Sequence, residues 1–433
     1  MTSTATAEPT GARATRPCAM LASAIREGPV RRKILVLSRV GAALGAVCLV
    51  APAAALAGPA DALASSPRTG GNYAFNSLAC PTISRCWAVG YQGTTVFNNA
   101  PLADQWTGSK WSNATIPASP SEPASTLGGV ACVSSTFCWA VGSAESPQLQ
   151  SSPFAELWNG HHWAVASTPT SYPNEVGLAG VTCLARNDCW AVGRYTNGFG
   201  AGATYAERWT ESDLGSHWAV STIAIPTGAT SSGLASVACG GTRNCTAVGT
   251  FKTSKGVAMT LAEHFDGTRW TVTKTPNPSG STGSYLDGVA CNGPSSCTAV
   301  GYYGGTGTIA YPSLAEHWNG KTWKLMTTAN ASHAGGGDIL NGIACTSSTS
   351  CMGVGYSSSA TGIDTIVERL TGTTWRIVRS PNPSGSTRNF LNAVACPSAT
   401  NCNAVGYGTI SNEFTTLGEH WDGSAWKLVS MPN

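Results

Sequence analysis

The 433-residue chain is thinly charged, with 11% Asp, Glu, Lys and Arg and a formal net charge of +3, so it lacks the broad basic field that a nucleic-acid partner demands. Its 50 glycines and 24 prolines, with few long runs of helix formers, speak against a helical fold. The N-terminal segment contains a basic cluster, Arg31, Arg32 and Lys33. An apolar run follows through Val47, Cys48, Leu49 and Val50 into "APAAALAGPADALA". That order reads as a secretion signal, with small-x-small cleavage sites ending at Ala57 and Ala64. Arg39 interrupts the apolar run, so no retained membrane span of about 20 residues is expected. Residues 1–64 are therefore assigned to a signal peptide and N-terminal extension, residues 65–433 to the folded, secreted part.

From residue 80 onward the cysteines fall into pairs with five residues between partners. The pairs are Cys80 and Cys86, Cys132 and Cys138, Cys183 and Cys189, Cys239 and Cys245, Cys291 and Cys297, Cys345 and Cys351, and Cys396 and Cys402. Outside the reducing cytosol such close pairs form disulfides. Zinc would need four ligands where each pair supplies two, so neither a metal nor a cofactor is expected. Each staple closes a short loop and contributes about 2 kcal/mol by the loop-entropy relation.

Successive pairs start 52, 51, 56, 52, 54 and 51 residues apart, an internal repeat in the range of propellers and arrays. Each repeat opens on an apolar stretch such as "LDGVAC" or "LNAVAC" and continues past the second cysteine with "WAVG", "TAVG", "MGVG" or "NAVG". An irregular run leads to a segment such as "LAEHWNGKTW" or "LGEHWDGSAW". Four short apolar runs per repeat, with Asn-Gly or Asp-Gly between the third and fourth in four of the repeats, predict a four-stranded antiparallel meander ending in a tight hairpin. The fold expected is an all-β, seven-bladed β-propeller with one disulfide per blade. Its repeats span about 73–120, 121–171, 172–227, 228–279, 280–333, 334–384 and 385–433. A two-residue type I′ turn at Asp422-Gly423 would place Glu419 opposite Trp426.

The pattern C-x5-C-x-A-V-G followed by L-A-E-H-W-[ND]-G-x-x-W, over about residues 73 to 433, resembles the secreted bacterial propeller repeats distantly related to the Asp-box and kelch types. The resemblance implies the propeller fold and leaves function open, since such propellers include lectins, enzymes, lyases and scaffolds. The chain departs from the Asp-box pattern: Asp213-Leu214-Gly215-Ser216-His217-Trp218 comes nearest and lacks the serine two residues before the aspartate.

Glu156, Glu207, Glu263, Glu316, Glu368 and Glu419, with Asp104, occupy one repeat position. Equivalent carboxylates on third strands cannot converge on one substrate, so they are read as structural and hydrogen-bonded, and the repeated tryptophans as packing between blades. Function is sought where repeats differ. The first and third connections of a meander share one face and are short, which leaves the divergent runs at 195–205, 251–260, 302–313 and 327–338 on the other.

At the second position of the innermost strand the repeats carry Asn76, Gly128, Ala179, Ala235, Asp287, Asn341 and Asn392. If the ring closes, the polar members Asn76, Asp287, Asn341 and Asn392 form one arc, expected at the mouth of the central channel. They are ligand-binding candidates, the competing role being local hydrogen bonds that hold loops. Arg194, Tyr302, Tyr303 and Arg388 are the rim candidates, because Tyr and Arg anchor binding surfaces. No G-x-S-x-G, H-E-x-x-H or phosphate-loop motif appears, and no catalytic residue is assigned. The expectation is a monomeric recognition protein for a glycan, peptide or cell-surface partner. The alternatives are a glycoside hydrolase or lyase working at the channel, which would need paired carboxylates, and a scaffold without a small ligand.

Overall fold

The computed structural model describes residues 71–94, 98–148, 150–169, 175–196, 201–212, 215–331 and 335–432. The expected secretion signal lies outside the described residues. Among them there are 28 strands and no helix, grouped in seven antiparallel four-stranded meanders. Blade 1 consists of Asn72–Thr82, Arg85–Gly93, Ala100–Trp106 and Trp111–Ala114. The inner strands of blades 2 to 7 are Ala124–Ser134, Val176–Ala185, Ser231–Gly241, Ser284–Gly293, Gly337–Ser347 and Arg388–Ser398. All seven expected disulfides are present, each tying the end of an inner strand to the start of the second strand. The fold is a seven-bladed β-propeller.

Each blade draws its four strands from one continuous stretch of chain, so no strand is shared across the closure. The ring closes by packing. Asn392 Nδ2 of blade 7 donates to the Phe75 carbonyl of blade 1 at 2.8 Å, and Asn72 Oδ1 accepts from the Phe414 amide at 3.0 Å. Aromatic side chains fill the gaps between blades. Trp87 of blade 1 lies 4.6 Å from Trp158 and 5.2 Å from Trp163 of blade 2. Trp139 of blade 2 repeats the arrangement on Trp209 (4.5 Å) and Trp218 (5.1 Å) of blade 3. Trp190 of blade 3 does so on Phe265 (4.7 Å) and Trp270 (5.2 Å) of blade 4. These tilted and edge-on pairs bury large apolar area and add directional attraction, as the packing role requires.

The closing hairpin differs from the expectation. In the last blade Trp421 pairs with Trp426, and Glu419 faces Leu428 rather than Trp426. Asp422 Oδ1 accepts from the amides of Ser424 and Ala425, both at 2.9 Å, an Asx-turn that moves the bend one residue onward. Gly423 takes φ +96° while Asp422 does not have positive φ, so the turn is not type I′.

Candidate binding site at the channel mouth

One irregularity, repeated in every blade, shapes the channel. The pairing of inner and second strands slips by one residue, as between Phe75↔Gly90 and Ser77↔Val89, leaving Asn76 unopposed. The same slip leaves Gly128, Ala179, Ala235, Asp287, Asn341 and Asn392 unopposed in the other blades. Such bulges re-aim a side chain, and here all seven line an axial cavity of about 180 Å³. The glycine of the "AVG" segment makes the bulge possible. A Cβ on Gly301 would collide with the Tyr285 carbonyl oxygen, and one on Gly90 with that of Ala74. The bulge residues lie three or four positions into their strands, roughly 10–13 Å from the strand start at about 3.3 Å per residue. They are therefore inside the channel and not at its mouth.

Three of the four polar bulge residues form one kind of clamp. Asn76 Nδ2 donates to Leu127 O at 2.8 Å, Asn341 Nδ2 to Leu391 O at 3.0 Å and Asn392 Nδ2 to Phe75 O at 2.8 Å. Each reaches the residue just before the bulge of the following blade. Asp287 occupies the same place in blade 5 but, as a carboxylate, has no proton to donate, and it makes no hydrogen bond to a protein group among the described residues. Among the described residues it is the one ionisable side chain lining the cavity. Burial pushes its carboxyl up to about 7.

Above this ring sits a second one. The residue following each "VG" is Tyr91, Ser143, Arg194, Thr250, Tyr302, Tyr356 and Tyr407, paired across the sheet with Ala74, Thr126, Gly177, Gly233, Tyr285, Ile339 and Phe390. Blades 2 to 4 are thus small or polar here. Blades 5, 6, 7 and 1 form an aromatic arc on the same side as Asp287 and the three asparagines. Tyr285 stacks on Tyr302 at 4.7 Å, Tyr356 meets Phe390 edge-on at 4.8 Å, and Phe390 stacks on Tyr407 at 4.7 Å.

The phenols of the arc are half-buried, and burial raises their pKa, that of Tyr302 to about 12. Tyr302 and Tyr356 lie within electrostatic reach of the Asp287 carboxylate. Tyr407 lies within reach of both Tyr91 and Tyr356. Arg388, over the Phe390 ring at 5.6 Å, lowers the pKa of Tyr356 and Tyr407 against that burial. Among the described residues none of the hydroxyls of Tyr91, Tyr302, Tyr356 and Tyr407 hydrogen-bonds a protein group, so this arc offers unspent donors and acceptors beside half-buried rings.

The structure therefore brings Asp287, Tyr302 and Arg388 together at one side of the channel, with Asn76, Asn341 and Asn392 completing its wall. Arg194 belongs to the same upper ring on the opposite arc and is exposed. Tyr303 does not join them. It lines a separate cavity of about 310 Å³ with Ser279, Thr306, Ile309 and Pro312. Tyr91, Tyr356 and Tyr407 are additions from the structure, and their signal was the recurring V-G-Y in four repeats. A larger cavity of about 730 Å³ lies in blade 4 against Phe251, Met259, Ile225 and Val272, but it contains no carboxylate.

The third-strand carboxylates are buried between blades, with no exposed surface. Glu263 accepts from the Ala224 amide at 3.1 Å, and Glu368 from the Ala329 amide at 2.9 Å and the Ser313 hydroxyl at 2.7 Å. Glu419 accepts from Ser380 Oγ at 2.8 Å. In each case the donor belongs to the preceding blade or to the segment that follows it. Blades 3 to 6 carry Thr204, Thr260, Ser313 or Thr365 at the third-strand position where blades 1 and 2 carry Pro101 and Pro153. Proline has no hydroxyl. Glu207, facing blade 2, turns to the Tyr205 hydroxyl at 2.8 Å. Glu156, facing blade 1, has no hydrogen-bond partner on either oxygen, and burial pushes it up to about 9. These groups hold blades together and lie apart from the channel.

The chain matches no protein-family model and no curated protein. Among solved structures it is similar to YCF48 bound to D1 peptide, at 12% identity and TM-score 0.46, covering 81% of this chain and 94% of that one. It is also similar to the SapL1 lectin in complex with alpha methyl fucoside, at 12% identity and TM-score 0.43, covering 85% and 98%. A third similarity is to Sqt1 of Chaetomium thermophilum, at 10% identity and TM-score 0.48, covering 83% and 86%.

Proposed function

We propose that the protein is a secreted recognition module that binds a glycan at the long-loop mouth of its channel, over blades 5, 6, 7 and 1. The observation that carries this reading is the arc of Tyr91, Tyr302, Tyr356 and Tyr407, whose hydroxyls have no partner among the described residues, with Arg388 within electrostatic reach of Tyr356 and Tyr407. Ring faces stack on the apolar faces of sugars, and free hydroxyls with a nearby guanidinium exchange hydrogen bonds with sugar hydroxyls. Recognition is favoured over glycoside hydrolysis because hydrolysis asks for two carboxylates across the scissile bond, and Asp287 is the single carboxylate among the residues lining the channel. Export fits the seven disulfides, which persist in oxidising compartments. Among the described residues no helix is long and apolar enough to cross a membrane.

The test is a glycan array probed with the purified protein and with Tyr356→Ala. Specific signals that disappear in the variant support the site. Signals that persist unchanged in the variant move the site elsewhere, and an array blank for the wild type overturns the glycan reading.

A further inference from the structure

The wall of the channel poses an electrostatic problem that the protein does not solve by itself. Asp287 stands where Asn76, Asn341 and Asn392 each donate to the next blade, and it can make no such bond when ionised. Among the described residues no lysine, arginine or histidine lines the cavity. Arg388, at the mouth, lies over Phe390 and acts on Tyr356 and Tyr407. What faces Asp287 from the adjoining blades is aromatic: Tyr302 from its own blade and Tyr356 from blade 6, both within electrostatic reach. Asp287 is half-buried and opens onto the channel, so a cationic partner can reach a carboxylate to which no described protein group donates. Aromatic faces above it attract cations.

We propose that Asp287 is the receptor for an ammonium group carried by the ligand, inserted down the channel past Tyr302 and Tyr356. A cavity of about 180 Å³ has room for an aminoalkyl group or the amine of an amino sugar. The ammonium supplies the donors that Asp287 lacks, and the phenol faces line its path. This deepens the recognition reading and rests on it, since it takes the channel mouth as the binding surface and names the chemical class of the ligand.

The pH dependence follows from the groups present. Asp287, raised by burial to about 7, is largely protonated at pH 6 and largely ionised at pH 8, whereas Tyr302 and Tyr356 remain neutral throughout. A bound ammonium favours the ionised carboxylate and pulls its titration downward.

The experiment uses butylammonium as the probe and butanol as its neutral counterpart, titrated into the purified protein and into Asp287→Asn, with binding followed by NMR of the tyrosine rings. Asparagine is the residue that three other blades carry at this place, so the variant keeps the fold. The expected result is saturable binding of butylammonium that strengthens between pH 6 and pH 8 and is about tenfold weaker in the variant, the loss of one charge-assisted hydrogen bond. Butanol should not compete. As a second readout, the Asp287 carboxyl, observed by carbon NMR, should titrate lower with butylammonium present. Equal binding of the two probes, an unmoved carboxyl titration, or unchanged binding in Asp287→Asn would overturn the inference. Sugar signals on the array that are lost in Tyr356→Ala but indifferent to Asp287→Asn would leave the glycan reading standing while this one falls.

Discussion

Asn392 donates its side-chain amide to the carbonyl of Phe75, 317 residues earlier, at 2.8 Å, and this bond sits at the one junction of the ring that chain continuity does not secure. Asn76 and Asn341 make the same bond at junctions where a covalent connection follows anyway. Blades 2, 3 and 4 have Gly128, Ala179 and Ala235 in that place and do without it. The clamp is therefore an addition to blade packing and not its foundation.

Its loss should be correspondingly modest. Asn392→Ala is expected to lower unfolding stability by about 1 kcal/mol, the net worth of an ordinary hydrogen bond. Chemical denaturation should show a lower midpoint with an unchanged slope, because the surface exposed on unfolding stays the same. A change in slope would mean that the ring opens at blades 7 and 1 before the rest unfolds.

The buried glutamates set a pH dependence whose sign is fixed. Their carboxyls are raised from an ordinary value of 4.5 to about 7 for Glu207 and Glu368, about 8 for Glu263, Glu316 and Glu419, and about 9 for Glu156. The folded state thus holds more protons than the unfolded state between those limits, so the stabilisation is fully present below 4.5 and is lost as pH rises through 7 to 9. Thermal melting should be highest in mildly acidic buffer and fall toward pH 9. Glu156→Gln removes the group with the largest shift, so the variant should melt close to wild type at pH 5 and above it at pH 9. Parallel curves for the two proteins would show that Glu156 does not titrate in this range.

Most of the fold was legible because it is said seven times. Cysteine spacing, the "AVG" segment and the paired tryptophans each recur, and every recurrence restates the same strand. Features that depend on a single residue were not legible in the same way. The hairpin register turned on the Asp422 side chain capturing two amides, which moved the expected pairing of Glu419 from Trp426 to Leu428. The channel bulge is a slip of one residue, and no composition signal marks it apart from the glycine opposite. Long connections drew attention to Tyr303 and away from Tyr91, Tyr356 and Tyr407, which stand on regular strands beside the axis. Neighbours in sequence such as Tyr302 and Tyr303 point to opposite faces of a strand, so a loop-based reading cannot separate them.

Trp139 offers a test of how much the aromatic seams between blades contribute. It is fully buried and touches Trp209 and Trp218 of the next blade, so Trp139→Ala should cost about 3–5 kcal/mol through lost contact and an unfilled cavity. Blade 4 carries the smaller Thr246 at the equivalent position, buried and facing Cys297 of blade 5. The surroundings there are built for a small residue, whereas those of Trp139 are not, so Trp139→Thr should be nearly as damaging as Trp139→Ala. Denaturant midpoints of the two variants provide the check, and a Thr variant close to wild type would mean the seam collapses readily around a smaller side chain.

Tyr302 and Tyr303 form an internal control for the site itself. Both are half-buried tyrosines on the same strand, but Tyr302 stacks on Tyr285 within reach of Asp287, while Tyr303 lines the separate cavity near Pro312. If ligands enter by the channel mouth, Tyr302→Ala should weaken binding of the best array glycan by about 1–3 kcal/mol, the range for a buried aromatic anchor, and Tyr303→Ala should leave it within about 0.5 kcal/mol. Calorimetric titration of both variants decides the matter, because general loosening of blade 5 would weaken binding in both. The reverse pattern, with Tyr303 sensitive and Tyr302 silent, would move the binding surface from the axis to the outer loops around 304–312.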